Sequence, residues 1–292
     1  MEFNKIAILG RHQDPRVAEP IQLLAAHLAQ RGVQVFASDA LTLELPLTKL
    51  PEEALSAHAD LFIAVGGDGT MLHASRLARE TGTPILGINR GRLGFLADVM
   101  PDEMLAGVDQ VLAGNYTRDE RMLLEARLTR KSGRSKVAYA LNDVVLQRRE
   151  TGRMVDFTTH VGGQYINTHA GDGLIIATPT GSTAYALSCG GPIIEPQLQA
   201  LVIVPVCPHT LTDRPIVVPS SRPIEVVLLD RDETRAAVTV DGHSMGMIDP
   251  TDRITISEAR QRITLLHPPN HDFYGILRSK LFWGRDNRRR EC

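Results

Sequence analysis

The segment Gly66-Gly67-Asp68-Gly69-Thr70 holds the first residues whose types and order point to chemistry. It follows the uninterrupted apolar run Leu61-Phe62-Ile63-Ala64-Val65, the pattern of a parallel strand buried on both faces. Glycines at the end of such a strand permit a sharp turn and let a polyphosphate approach the main chain, where the amides of a helix start face the anion. Asp68 is the odd member. A carboxylate beside bound phosphates repels them unless it holds or orients a metal, or accepts a proton from an attacking hydroxyl. That combination points to phosphoryl transfer onto an alcohol. No Lys-Ser or Lys-Thr pair follows, so the turn is not a P-loop, and its spacing is not GxGxxG. The plain alternative is a tight turn in which Asp68 caps a helix beginning near Thr70.

A second stretch, Asp172 to Ser188, runs from an apolar strand into a cluster of hydroxyls: Thr178, Thr180, Ser182, Thr183 and Ser188. Gly181 supplies a turn, and Tyr185 offers a flat face with a polar tip, a combination suited to a nucleoside. Ser and Thr clusters also serve as ordinary caps and turns.

The elements that position these residues follow from periodicity. Ile6–Leu9 closed by Gly10, a helical spacing over 17–31, strand patterns at 33–36 and 61–65, a helix over 70–80, a strand at 84–88 and an amphipathic helix over 101–112 alternate β and α. Such alternation implies a doubly wound parallel sheet. Beyond Tyr116 the texture changes to nine short strand-like runs, at 123–129, 137–147, 154–161, 174–177, 201–206, 224–229, 236–240, 254–257 and 263–266. Their turn residues and scarcity of helix predict a mainly antiparallel β domain, with one short helix after Gly181. The expected division is an α/β domain over 1–118, a β-rich domain over 119–268 and a segment 269–292. In that segment Phe273, Ile276, Leu277 and Leu281 have helical spacing, and it is expected to return to the first domain. Arg288-Arg289-Arg290 reads as a solvated tail.

With 43% hydrophobic residues the 292-residue chain can bury substantial cores. The balance of 32 Lys plus Arg against 34 Asp plus Glu offers no global basic field for nucleic acid or an anionic membrane. Cys189, Cys207 and Cys292 are odd in number and lack CxxC spacing, so neither a disulfide framework nor a zinc site is indicated and a reducing cytoplasm fits. The N-terminus lacks the pattern of a signal peptide, and no apolar stretch reaches membrane-spanning length.

Taken with Gly66–Thr70, Asn142-Asp143 and Gly190-Gly191-Pro192, the run Asp172–Ser188 resembles the bacterial NAD kinase family. The stretches Gly87–Leu96, Pro208-His209-Thr210-Leu211 and Asp241-Gly242-His243 look like further segments of that family, and the resemblance spans residues 5–283. It implies transfer of the γ-phosphoryl of ATP to the 2′-hydroxyl of the adenosine ribose of NAD, giving NADP, with Asp68 as the proton acceptor. Magnesium is implied to arrive with ATP rather than in a site built by protein side chains. The dinucleotide site implied by the resemblance comprises Asp68, Gly69, His73, Asn142, Asp143, Arg153, Ala170, Asp172, Thr183, Ala184, Tyr185, Ala186, Leu187, Ser188 and His243. Gly69 is expected to act through its backbone, His73 to face phosphate or lie on the helix surface, and the Leu187 side chain to face the core. Arg153 and His243 are anchored by shorter motifs, and a surface arginine and a capping histidine are the alternatives. A homodimer or homotetramer, with NADPH as a feedback ligand, completes what the family implies.

One position departs from the pattern. Many enterobacterial-type members carry a basic side chain two residues before the acidic residue of the second motif, where this chain has Ala170. Only the oxidised nicotinamide is charged, so loss of a cation there is expected to relax discrimination and admit NADH. Two other readings share parts of the pattern. A lipid or sugar kinase shares the glycine-aspartate turn but not the Thr178-Pro179-Thr180-Gly181 segment, and a non-catalytic NAD(P) sensor would have no need of Asp68.

Overall fold

The computed structural model describes residues 2–10, 15–43, 45, 47–91, 94–97, 99–148, 154–230, 234–269 and 271–283. The chain divides into two compact units, Met1–Glu120 with Ile263–Cys292, and Arg121–Arg262. The Arg288–Arg290 run lies outside the described residues.

The first unit contains β1 (Lys5–Gly10), α1 (Pro15–Gln30), β2 (Gln34–Ser38), β3 (Thr48–Leu50), α2 (Leu55–His58), β4 (Leu61–Val65), α3 (Asp68–Ala78), β5 (Ile85–Ile88) and α4 (Met104–Leu112). Its strands stand in the order β5-β4-β1-β2-β3, and every pairing is parallel. Ile6, Ile8, Leu61, Ile63 and Val65 pack with Ile21, Leu24 and Leu28 of α1 and Met104, Val108 and Val111 of α4. The intervening residues Ala7, Phe62 and Ala64 are buried as well; α2 contacts β1 and β2, and α3 contacts β1 and β4. Covering on both faces explains why β4 is apolar without alternation. Strand order runs outward in both directions from β1 and β4. This reversal creates a crevice beyond their carboxyl ends, the usual ligand position in such sheets. Gly10 and Val65 are paired there, immediately before Gly66.

The second unit is built from β6 (Thr117–Thr129), β7 (Ser135–Ala140), β8 (Asp143–Arg148), β9 (Val155–Val161), β10 (Gln164–Gly171), β11 (Gly173–Ala177), α5 (Tyr185–Ser188), β12 (Ala200–Val206), β13 (Ile216–Pro219), β14 (Ile224–Leu228), β15 (Ala236–Val240), β16 (His243–Ile248) and β17 (Arg253–His267). The unit boundaries fall within β6 and β17. One sheet has the order β13-β12-β11-β8-β15-β16 and is antiparallel throughout. In the other, β10, β9, β14 and β17 pair antiparallel, and β6 pairs with β17 and β7. Leu174, Ile176 and Ile203 from the first sheet share a core with Phe157, Val226 and Ile254 from the second. The opposite faces of β11 and β12 are also covered: Ile175, Val202 and Val204 pack with Ala186 of α5 and Ile194.

Residues 263–283 belong to the first unit. There Leu265 and Leu266 pair parallel to Ile85 and Leu86, and α6 (Phe273–Leu281) buries Ile276 and Leu277. No helix among the described residues is long and apolar enough to cross a membrane.

The runs expected at 254–257 and 263–266 are one strand, β17: the polar stretch between them stays extended, and the buried positions change from even (254, 256) to odd (259, 263, 265) within it. The run expected at 137–147 is two strands, β7 and β8, separated at Leu141-Asn142. Strands β10, β13 and β16 were not expected, since half or more of the residues in each are incompletely buried and their apolar signal is weak.

Candidate functional site

In the first unit, α3 begins at Asp68, two residues before the expected start, and Gly67 occupies the cap position with extended backbone and no side-chain cap. Asp68 therefore does not cap its helix. Its carboxylate turns to the loop after β5, where Oδ2 accepts the Phe95 N–H at 3.2 Å and Oδ1 accepts the Leu96 N–H at 3.0 Å. Each oxygen has a further lone pair for a second donor. Gly94 is required by this approach, because a Cβ there would overlap Asp68 Oδ1. Lys280 of α6 places its ammonium 5.2 Å from the centroid of the Phe95 ring, adding a positive charge to the loop that holds Asp68.

Gly69 is exposed at the start of α3, where the helix dipole favours an anion. Beside Gly67 stands Arg90, with Nη2 4.0 Å from the place a Cβ of residue 67 would take. Arg90 lies within the Gly87–Leu96 segment, where its type and spacing do not set it apart. Its proximity to the glycine turn depends on the adjacency of β4 and β5. His73 is engaged elsewhere: Nε2 contacts Glu52 Oε1 at 2.8 Å, and Arg76 Nη2 donates to Nδ1 at 2.8 Å. This places His73 in a polar cluster on the helix surface.

In the second unit, Asn142 and Asp143 stand where β7 gives way to β8. The turn between β15 and β16 reaches this point through Asp241, whose backbone is left-handed at φ 45°. The Asp241 carboxylate accepts the N–H groups of Leu141, Asn142 and Asp143. Asp143 is 7% exposed. Burial first, and then the negative charge of Asp241, push its carboxyl up to about 7. The sequence shows Asp241 only as part of a motif. Its clamping role depends on a contact about a hundred residues distant.

The hydroxyl-rich run is tied to the same turn. Thr178 donates to the Leu141 carbonyl at 2.6 Å, its N–H bonds to the Asn142 carbonyl, and its hydroxyl accepts the Gly181 N–H. A Cβ at Gly181 would overlap the Asn142 carbonyl. Ser182 donates to the Pro179 carbonyl and accepts the Ile194 N–H, while Thr183 donates to the Thr180 carbonyl. Arg121 donates to Thr180 Oγ1 at 3.2 Å. The hydroxyls of Thr178, Ser182 and Thr183 thus shape the backbone in the manner of caps and turns.

What remains open along the run is Tyr185 and Ser188, both exposed, with Thr183, Ala184 and Leu187 half-buried. Ala186 is the buried residue of α5, whereas Leu187, expected to face the core, is only partly covered. The reason is helical phase: in this four-residue helix Ala186 points onto β11 and β12, and its neighbour is turned aside. The Tyr185 phenol is held above its ordinary pKa by desolvation first, with Cys189, Cys207 and Asp172 adding to the effect. Asp172 itself is half-buried and accepts from Arg148 Nε at 3.0 Å. Ala170 lies on β10 opposite Asp156, and its carbonyl accepts the His209 N–H. His243 is exposed and opens β16 beside the Asp241-Gly242 turn. Arg153 lies outside the described residues.

Metal chemistry has one candidate donor set among the described residues, Asp119, His267 and His271. Two imidazoles suit a transition ion rather than Mg2+, which prefers oxygen ligands.

Comparison with known proteins agrees along the chain. A model of the ATP-NAD kinase N-terminal domain matches residues 6–116, and one of the ATP-NAD kinase C-terminal domain matches residues 141–267. An NAD kinase of Nitrosococcus oceani is 41% identical over 286 residues, covering 97% of this chain and 98% of the relative. One from Azotobacter vinelandii is 42% identical over 97% of each chain. Among solved structures, yeast NADH kinase complexed with NADH superposes with a TM-score of 0.91 at 25% identity, covering 99% of this chain and 90% of its own. An NAD kinase from Archaeoglobus fulgidus in complex with ATP gives 0.73 at 27% identity, covering 94% and 99%.

Proposed function

Because this chain belongs to the ATP-NAD kinase family, we propose that it phosphorylates the 2′-hydroxyl of the adenosine ribose of NAD from ATP, with Asp68 taking the hydroxyl proton. The 2′-oxygen attacks the γ-phosphorus, the bond to the β–γ bridging oxygen breaks, ADP departs and NADP forms. Family membership sets aside the lipid-kinase, sugar-kinase and sensor readings. The observation that carries the role of Asp68 is its carboxylate geometry. Two backbone amides fix it at the beginning of α3, at the carboxyl end of a central strand, instead of its capping the helix. A secondary alcohol is a weak nucleophile until its proton has a destination, and an oriented carboxylate provides one.

The remaining residues divide by task. The exposed backbone at Gly69, the dipole of α3 and the guanidinium of Arg90 favour phosphate oxygens. In the second unit the dinucleotide site comprises Asn142, Asp143, Asp172, Thr183, Ala184, Tyr185, Ala186, Leu187, Ser188 and His243, together with Arg153 and Ala170. His73 acts through its contacts on the surface of α3. Mg2+ bound with ATP would neutralise charge on the triphosphate. The proposal extends to a cytoplasmic homodimer or homotetramer inhibited by NADPH, and β13 and β16 are the edge strands of a sheet open to pairing.

The direct test is a coupled assay of the purified protein with NAD, ATP and Mg2+, read by an NADP-specific dehydrogenase. NADP should accumulate with time and enzyme concentration. Its absence would overturn the proposal.

A further inference from the structure

Three side chains of the types that can ligate a metal stand together in the first unit, away from the glycine-aspartate turn in sequence. Asp119 of β6, His267 at the end of β17 and His271 each place one ligand atom within 4.8 Å of the others. His267 is buried, while Asp119 and His271 are half-buried. His267 Nε2 lies 3.2 Å from Asp119 Oδ2. The His267 and His271 rings are stacked, with centroids 3.8 Å apart and planes inclined by 19°. Between the two histidines in sequence stand Pro268 and Pro269, whose rings restrict the backbone. Both prolines and His271 border a cavity of about 380 Å3 that is also lined by Glu103 and Gln110.

We propose that Asp119, His267 and His271 form a binding site for a divalent transition metal, with zinc as the fitting probe. Two imidazoles and a carboxylate are donors for zinc or cobalt, whereas magnesium favours oxygen. Around a tetrahedral ion, neighbouring N and O donors stand about 3.4 Å apart. Asp119 and His267 already have a spacing of this kind. The third donor requires His271 to turn its ring out of the stack, since a metal lies in the plane of a ligating imidazole. His271 is half-exposed and outside regular structure, so the turn displaces no core side chain. The fourth position falls to water on the cavity side. Bound metal would join β6 and the end of β17 to the segment leading into α6, a structural tie independent of the nucleotide chemistry.

The test is titration of the full chain, stripped of metal, with Co2+, followed by visible ligand-field absorption, with Zn2+ as competitor. The wild type should bind one Co2+ per chain at this site, Zn2+ should displace it, and Zn2+ should raise the thermal midpoint. His271→Phe keeps an aromatic ring over His267 but removes the ligand, and should weaken binding by at least about tenfold. His271→Cys supplies a thiolate and should restore binding with altered bands. Absence of ligand-field bands in the wild type, or unchanged bands in His271→Phe, would overturn the proposal. Circular dichroism of the metal-free variants separates ligand loss from misfolding.

Discussion

Asp241 holds the turn that carries Asp143. Its carboxylate accepts the N–H groups of Leu141, Asn142 and Asp143 at 2.7, 2.9 and 3.1 Å, and its own N–H bonds to the Asp143 carbonyl at 3.0 Å. Asp241→Ala leaves three backbone donors without this acceptor and should cost about 3 kcal/mol, the scale of unsatisfied buried donors. Asp241→Asn should cost less, because one carbonyl oxygen remains. Urea unfolding measures both, and an Asp241→Ala protein as stable as the wild type would remove the clamp from the account.

The same pair gives a pH signature. Folding raises the Asp143 carboxyl from 3.8 to about 7, chiefly by burial and secondarily by the charge of Asp241. The folded state therefore holds a proton that the unfolded chain releases. The associated stability is fully present below about pH 4 and is lost as pH rises through about 7. Asp143→Asn has no such titration. Wild-type stability should fall relative to Asp143→Asn across that window, by at most on the order of 4 kcal/mol. Parallel curves for the two proteins would contradict the raised pKa.

Gly94→Ala separates positioning from folding. The new methyl meets Asp68 Oδ1, the end of a side chain that can rotate away, and stands 3.1 and 3.3 Å from the backbone O and N of Ala97, so stability should fall by about 1–2 kcal/mol. Displacing the carboxylate by about an ångström should lower kcat by about a hundredfold. Steady-state kinetics with calorimetric NAD titration would reveal this split; unchanged kcat would show that the loop at Phe95 and Leu96 does not set the position of Asp68.

Ala170 leads to a prediction about specificity. At the dinucleotide site that the family resemblance implies, Ala170 offers no charge with which to tell oxidised from reduced nicotinamide. Purified enzyme should phosphorylate NADH at a measurable rate alongside NAD, and an undetectable NADH rate would reject this reading.

The parts of the fold legible in the sequence were those written in short-range pattern. Leu61–Val65 reads as a buried parallel strand because both faces need apolar residues, and the change of period after Tyr116 marks the antiparallel region. Asp68 and Asn142-Asp143 stand out because a carboxylate beside glycines, or an amide next to a carboxylate, is chemically conspicuous. What the sequence concealed depends on distant contacts. The hydroxyls of Thr178 and Ser182 look like ligand donors until the carbonyls of Leu141 and Pro179 are seen to receive them. The clamping by Asp241 requires β8 to pair with β15. Of the Asp119–His267–His271 group the sequence shows only the two histidines, four residues apart, since Asp119 stands 148 residues before His267.

The most direct test of the account is the Asp68→Asn enzyme. Turnover of NAD to NADP should fall by about a hundredfold to ten-thousandfold, the range for loss of a positioned base, while calorimetry still detects NAD binding. Turnover at the wild-type rate would contradict the role of Asp68 as proton acceptor.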